Sequence, residues 1–105
     1  MIEKTNTLNR LFDFYHPLLT KKQRDYFIMY YHKDYSLQEI ADFHKVSKNA
    51  IYDQLSITSQ KMHEYEEKLR LVKKAQQREA LINLYRSTKE EHYLNTLLEM
   101  DEFYV

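Results

Sequence analysis

A chain of 105 residues can form one small domain, or one small domain with a helical extension. It contains no glycine and no cysteine, which excludes glycine-rich phosphate loops, dinucleotide-binding fingerprints, disulfides and cysteine-ligated zinc. Sixteen basic residues balance sixteen acidic ones, so the net charge is zero and non-specific affinity for nucleic acid should be weak.

The first predicted elements are two helices separated by the only proline. Residues 7–16 carry apolar side chains at helical spacing, and the proline that follows should end this first helix. Thr20 and Gln23 form a capping box that begins a second helix, which should run to about His32. The aromatic side chains of this second helix are expected to pack in the core: Tyr26, Phe27, Tyr30 and Tyr31.

Residues 36–58 have the pattern of a helix-turn-helix motif. Ser36 and Glu39 form a second capping box, and Ser47 caps another helix eleven residues further on. Lys45 falls where the turn requires left-handed backbone, at a cost of about 1 kcal/mol relative to glycine. The apolar residues with the spacing to pack across the turn are Ile40, Ala41, Val46, Ala50 and Ile51.

The second helix of this motif predicts a DNA-reading surface, because a helix-turn-helix presents that helix to the major groove. Side chains between its buried positions should face solvent, and lysine and asparagine suit the edges of guanine and adenine. The carboxylate of Asp53 repels phosphate, although it can accept from a cytosine amino group. Basic side chains in the preceding helix add candidate contacts to the DNA backbone. The candidate DNA-binding residues are Ser47, Lys48, Asn49, Tyr52, Asp53, Ser56, Lys21, Lys22 and Arg24. The alternative is a motif retained for contacts with protein.

A long helix is predicted after the motif. From Ser47 no helix-breaking residue occurs for about forty positions, and apolar side chains recur in a heptad-type stripe. The motif's second helix either ends near Thr58 or continues into a long amphipathic helix through about Tyr85. The stripe either folds back on the N-terminal module or pairs with a second copy of the chain, in which case the dimerisation residues would be Met62, Tyr65, Leu69 and Val72.

The predicted fold class is therefore all-α. A helical domain over residues 1–58 contains the helix-turn-helix at 36–58, and residues 59–105 form a helical extension. Thr88 with Glu91 begins a short last helix in that extension.

No pattern in the chain is typical of catalysis. The five histidines are scattered without metal-ligand spacing, and His44 is expected to lie at the surface. We therefore expect no metal, no cofactor and no enzymatic activity. No run of about eighteen apolar residues and no signal-peptide pattern occur, so we expect a cytoplasmic protein that does not enter the membrane.

The motifs together resemble two related groups of bacterial proteins. The core of the pattern resembles the promoter-reading fourth region of sigma factors, and it consists of Leu19-Thr20-x-x-Gln23, Tyr35-Ser36-Leu-x-Glu39-Ile40-Ala41, Val46-Ser47 and Ala50-Ile51-Tyr52-Asp53. Flanking segments extend the resemblance over residues 8–75, more closely to the YlxM-like family of small proteins, through Leu11-Phe12-Asp13-Phe14-Tyr15 and Tyr65-Glu66-Glu67-Lys68-Leu69.

The resemblance to the YlxM-like family implies a DNA-binding helix-turn-helix protein that is encoded beside the GTPase of the signal recognition particle. It therefore implies a regulator or accessory of that targeting pathway. The alternative is an adaptor that binds the targeting GTPase or its RNA complex without reading DNA sequence. The residues that the resemblance places against DNA are Ser47, Lys48, Asn49 and Tyr52.

Overall fold

The computed structural model describes the backbone of residues 2–101 and the side chains of residues 5–100. Within this range the chain is helical and has no strand, which confirms the predicted all-α class. A short 3₁₀ segment at His16–Leu18 follows the first α-helix, and a π-helical segment at Ile28–His32 extends the second. The α-helices are α1 (Ile2–Tyr15), α2 (Lys21–Phe27), α3 (Leu37–His44), α4 (Lys48–Leu69), α5 (Leu71–Thr88) and α6 (Glu91–Asp101).

Two capping boxes fix the beginnings of α2 and α3, as the sequence predicts. The Thr20 hydroxyl accepts from the Gln23 amide at 3.2 Å, and the Gln23 side chain accepts from the Thr20 amide at 3.0 Å. Ser36 and Glu39 exchange the same two bonds at 3.0 and 2.9 Å. Each box satisfies two donors that would otherwise lack a partner at a helix start. The helix starts are therefore set locally, by residues three apart.

Lys45 ends α3 in the left-handed conformation that the sequence predicts, with φ 57° and ψ 44°. The amide of Val46 donates to the Ala41 carbonyl at 3.0 Å, and the amide of Lys45 approaches the Asp42 carbonyl at 3.4 Å. This pair of bonds defines a Schellman motif, which satisfies the last carbonyls of a helix. Val46 does not pack between the helices as predicted, because the reversal at Lys45 leaves it 37% exposed.

The core of the N-terminal helices combines two groups of buried side chains. Phe12 of α1 stacks on Phe27 of α2, with ring centres 4.2 Å apart and planes 5° from parallel. A second cluster joins α2, α3 and α4 and consists of Tyr26, Ile40, Ala41, Ile51 and Leu55. The predicted aromatic core is thus confirmed at Tyr26 and Phe27, whereas Tyr30 is 36% exposed. The second cluster fixes the rotation of α4 relative to α3.

Helix α4 passes through Thr58 without interruption and ends at Leu69. Thr58 is fully buried, and its hydroxyl donates to the Gln54 carbonyl at 2.7 Å, so this polar residue is satisfied within the helix. Arg70 then takes φ 54° and ψ 35°, which no helix can continue. Both predicted alternatives, an end near Thr58 and a continuous helix through Tyr85, are therefore wrong, because α4 runs to Leu69 and Arg70 in left-handed conformation then divides the chain.

The chain forms two compact units, Met1–Leu69 and Arg70–Val105. The boundary that we expect from the sequence, between residues 58 and 59, lies inside α4. The second unit is a pair of helices, α5 and α6, that pack against each other. Lys89 separates them with φ 61°, and α6 begins at Glu91. Thr88 is the last residue of α5 and its hydroxyl donates to the Leu84 carbonyl at 2.7 Å, so the predicted capping box of Thr88 with Glu91 is wrong.

The predicted dimerisation stripe is largely occupied by the chain itself. Met62 is fully buried in the first unit, where α1 packs against α4. Tyr65 is half-buried, with its ring 5.9 Å from that of Tyr15. Leu69 is 44% exposed, and Val72 belongs to the second unit. Met62 therefore cannot serve as a dimer contact, because the chain's own α1 covers the face of α4 on which it lies.

Candidate nucleic-acid interface

The start of α4 is fixed by Ser47. Its hydroxyl accepts from the Ala50 amide at 3.0 Å, and its carbonyl accepts from the Ile51 amide at 3.3 Å. Serine is favoured at this position because its side chain satisfies one of the free donors of the first turn. Lys48 and Asn49 are consequently the first two residues of the helix, as the sequence predicts.

All six α4-region candidates for reading DNA lie on the solvent side. They are Ser47, Lys48, Asn49, Tyr52, Asp53 and Ser56, and we refer to them as the reading edge. Tyr52 is 60% exposed, whereas Ile51 and Leu55 are buried in the core cluster. Since successive helical residues are rotated by about 100°, burying Ile51 and Leu55 turns the positions between them outward. The reading edge is therefore available to a ligand.

The three basic candidates on α2 are not equally available. Lys21 forms an exposed ion pair with Asp25 at 2.9 Å. Arg24 is half-buried and donates from its guanidinium to the Leu19 carbonyl at 2.6 Å, so it stabilises the start of its own helix. Lys22 is exposed. Arg24 is therefore a structural residue, and Lys22 is the better candidate for a phosphate contact.

Positive charge near the reading edge is sparse. Lys48 lies on it and Lys45 precedes it in the turn, while Asp53 offsets one of these charges. Residues 1–69 contain ten basic and ten acidic side chains, and residues 70–105 contain six of each. Neither unit therefore has the basic excess that is typical of strong non-specific DNA binders.

A small cleft borders the reading edge and was not predicted from the sequence. It has a volume of about 360 Å³, and Tyr52 and Ser56 line it together with Tyr30, Tyr31 and Gln60. Burial raises the pKa of the Tyr31 hydroxyl, and the neighbouring Tyr30 adds to the effect. The sequence signal that could have found this cleft is the Tyr30-Tyr31 pair, which we assign to the core.

His44 is not the surface residue that we expect from the sequence. Its ring is half-buried and lies edge-on to Tyr26, 4.8 Å between centres, and 5.0 Å from Phe43. Its Nε2 atom is buried without a hydrogen-bond partner among the described residues. The correction follows from the end of α3, which packs His44 against α2 before the chain reverses at Lys45.

Residues 2–101 contain neither a candidate metal site nor a helix suited to spanning a membrane. No group of three or more histidine, aspartate or glutamate side chains in this part of the chain could hold a metal ion. Among the helices described, none combines the length and apolarity that crossing a bilayer requires.

Comparison with known proteins identifies similar sequences along most of the chain. A family model described as "Putative helix-turn-helix protein, YlxM / p13 like" matches residues 2–100. UPF0122 protein YlxM from Bacillus subtilis is 45% identical over 102 residues, which cover 93% of this chain and 93% of that protein. A UPF0122 protein from Listeria monocytogenes is 56% identical over 81 residues, covering 77% and 74% of the two chains. Another from Anoxybacillus flavithermus is 46% identical over 95 residues, covering 90% and 86%.

Proposed function

We propose that this chain, which belongs to the YlxM-like family of helix-turn-helix proteins, is a non-enzymatic regulator that binds DNA through the reading edge of α4. One observation carries the proposal. Lys48, Asn49 and Tyr52 are exposed at the start of a helix whose opposite face is anchored by Ile51 and Leu55. A rigid helix with polar side chains at its exposed N-terminal end is what the major groove admits.

Four residues of the reading edge then have distinct roles. Lys48 donates to the O6 and N7 atoms of guanine, and the Asn49 amide pairs with the N6 and N7 atoms of adenine. The exposed ring of Tyr52 contacts a thymine methyl group or the sugar, and Asp53 accepts from a cytosine amino group. Lys45 and Lys22 contact phosphate without reading sequence. Sequence is therefore read mainly by the first turn and a half of α4.

The few cations set the strength and salt dependence of the complex. If Lys22 and Lys45 each neutralise one phosphate, the affinity should fall by a factor of about 10 between 50 and 200 mM salt. This dependence is shallow for a DNA-binding protein. We therefore propose that specific contacts contribute more to binding than non-specific attraction does.

The test is selection from a pool of random-sequence duplexes about three helical turns long, followed by gel shifts on the enriched sequence. The double variant Lys48→Glu with Asn49→Ala should weaken binding by about 30-fold or more, because two base contacts worth ~1 kcal/mol or more each are removed. The matched control is Lys68→Glu, which makes the same charge change on an exposed residue of α4. Lys68 lies about 30 Å further along the helix, so its replacement should leave the shift unchanged.

The proposal would be contradicted if no duplex were enriched, or if Lys68→Glu weakened binding as much as the double variant does. The sedimentation mass of the DNA complex also tests whether two copies bind together, in which case the DNA site should contain two half-sites. With Met62 buried, such a dimer cannot use the whole predicted stripe; within the first unit Leu69 is its exposed member.

A second candidate function is an adaptor of the signal recognition particle pathway that binds the targeting GTPase or its RNA complex. The absence of a basic excess from either unit favours this alternative, because a protein contact does not require one. It predicts that the chain retains the GTPase in a pull-down after DNase treatment. Loss of the retained protein only after RNase treatment would assign the contact to the RNA complex.

A further inference from the structure

A second, larger cleft lies on the first unit away from the reading edge. It has a volume of about 680 Å³ and is formed by α2, the π-helical segment, α3 and the connector between the last two. None of its lining residues belongs to α4. The cleft and the reading edge therefore share no side chain and can be tested independently.

Half-buried and exposed apolar side chains form part of the walls of this cleft. Ile28 and Met29 are half-buried in its lining, and Tyr35 is 41% exposed beside them. Phe43 is 72% exposed, the highest fraction among the large hydrophobic side chains that the structure describes. A phenyl ring that is exposed to water beside an apolar cleft is stabilised when a partner covers it.

The rim of the cleft is acidic. Asp25, Glu39 and Asp42 line it, and Lys33 is the one lysine or arginine among the lining residues. Each carboxylate already accepts one bond: Asp25 from Lys21, Glu39 from the Ser36 amide and Asp42 from Gln38. A carboxylate has lone pairs for further donors, so a partner's cations can still pair with this rim. Phosphate groups, in contrast, would be repelled.

We propose that this cleft is a docking site for a helical segment of a partner protein that presents apolar anchors flanked by lysine or arginine. Residues 2–101 contain no strand, so a partner cannot bind there by adding a strand to a sheet. Helix-in-groove recognition suits a cleft walled by helices, and the lining residues of α3, from Glu39 to His44, extend over about 8 Å of its axis. That length accommodates two apolar anchors at positions i and i+4 of a partner helix, which are about 6 Å apart along its axis.

The test is a titration of the isotope-labelled full chain with a synthetic amphipathic peptide, followed by amide chemical shifts. The probe carries two leucines four residues apart, flanked by lysines, and its matched control has glutamate in place of each lysine. The cationic peptide should shift the amides of Tyr35, Phe43 and their neighbours, and the acidic peptide should not. Phe43→Ala should weaken binding by about 10-fold, as expected for a central aromatic anchor. Asp42→Lys should weaken it by about two- to fivefold, as expected for a rim charge.

Two control variants distinguish specific docking in the cleft from nonspecific binding of the peptide elsewhere on the surface. Tyr52→Ala removes a comparably exposed ring from the reading edge, and Glu67→Lys reverses an exposed charge elsewhere on α4. Both should bind the cationic peptide as the parent chain does, and Phe43→Ala should bind DNA as the parent chain does. Shifts centred on the reading edge, equal binding of the acidic peptide, or no shifts at the cleft would overturn the proposal. A parent dimer that becomes monomeric in Phe43→Ala would also overturn it, by assigning the cleft to a second copy of the chain.

Discussion

Replacing Lys45 by glycine should stabilise the protein, because this residue holds left-handed backbone at φ 57° and ψ 44°. The conformation costs an L-residue about 1–2 kcal/mol, and glycine removes that cost. Glycine also gains freedom in the unfolded chain, which offsets about 0.4–1 kcal/mol of the benefit. The Lys45 side chain is exposed, so its removal sacrifices little packing. The net expectation for Lys45→Gly is a gain of about 0.5–1 kcal/mol.

The measurement is urea unfolding of the full chain, followed by far-ultraviolet circular dichroism, with thermal unfolding as a second readout. A gain of this size should raise the melting temperature by roughly 2–8 °C, since about 1 kcal/mol corresponds to 4–8 °C in a domain of 60–100 residues. The matched control is Lys68→Gly, which places glycine inside α4 at another exposed lysine. It should destabilise by about 0.5 kcal/mol, because glycine is a poor helix former but Lys68 lies in the last turn of α4, where the cost is below the ~1 kcal/mol of a helix interior.

The opposite signs of the two substitutions are what the reasoning requires. Equal destabilisation by Lys45→Gly and Lys68→Gly would show that the turn does not strain lysine.

Three further predictions concern burial, capping and titration. Met62→Ala should lower the free energy of unfolding by about 2–5 kcal/mol, because the side chain is fully buried, whereas Leu69→Ala, at a site 44% exposed, should cost well under half as much in the same urea titration. Ser36→Ala should lower the free energy of unfolding by about 1 kcal/mol, because it removes the cap on the Glu39 amide. In a hydrogen-exchange measurement, the largest increase in amide exchange rate should lie in the first turn of α3. Burial raises the pKa of Tyr31 above its unfolded value of about 10, so its stabilisation is complete below that pH and is lost as the pH rises through the folded pKa. Tyr31→Phe should therefore flatten the fall in stability above about pH 10, and an unchanged slope would refute this.

The starts of α2 and α3 could be predicted from the sequence because their causes are local. Thr20 with Gln23 and Ser36 with Glu39 each place donor and acceptor three residues apart, so nothing distant decides the outcome. The exposed face of α4 was predictable for a similar reason. Once Ile51 is assigned to the core, helical geometry determines which side chains face outward.

The features that sequence reasoning missed depend on tertiary structure. Arg70 interrupts the predicted long helix, and an arginine carries no local preference for left-handed backbone. His44 packs against the ring of Tyr26 from α2, and the apolar cleft beside it is formed by segments that a linear pattern cannot bring together. Met62 could not be assigned to core or dimer, because the same heptad spacing serves both.

The unbroken course of α4 links two ends of the first unit mechanically. Its first turn carries Lys48 and Asn49, and its last turns are tied to α1, where the Tyr15 hydroxyl donates to the Glu66 carboxylate at 2.6 Å. A helix that is held at its C-terminal end loses less conformational entropy when a ligand binds its N-terminal end. Under the proposed function, residues of α1 would therefore contribute to the affinity for DNA without contacting it, by restricting the motion of α4 before binding.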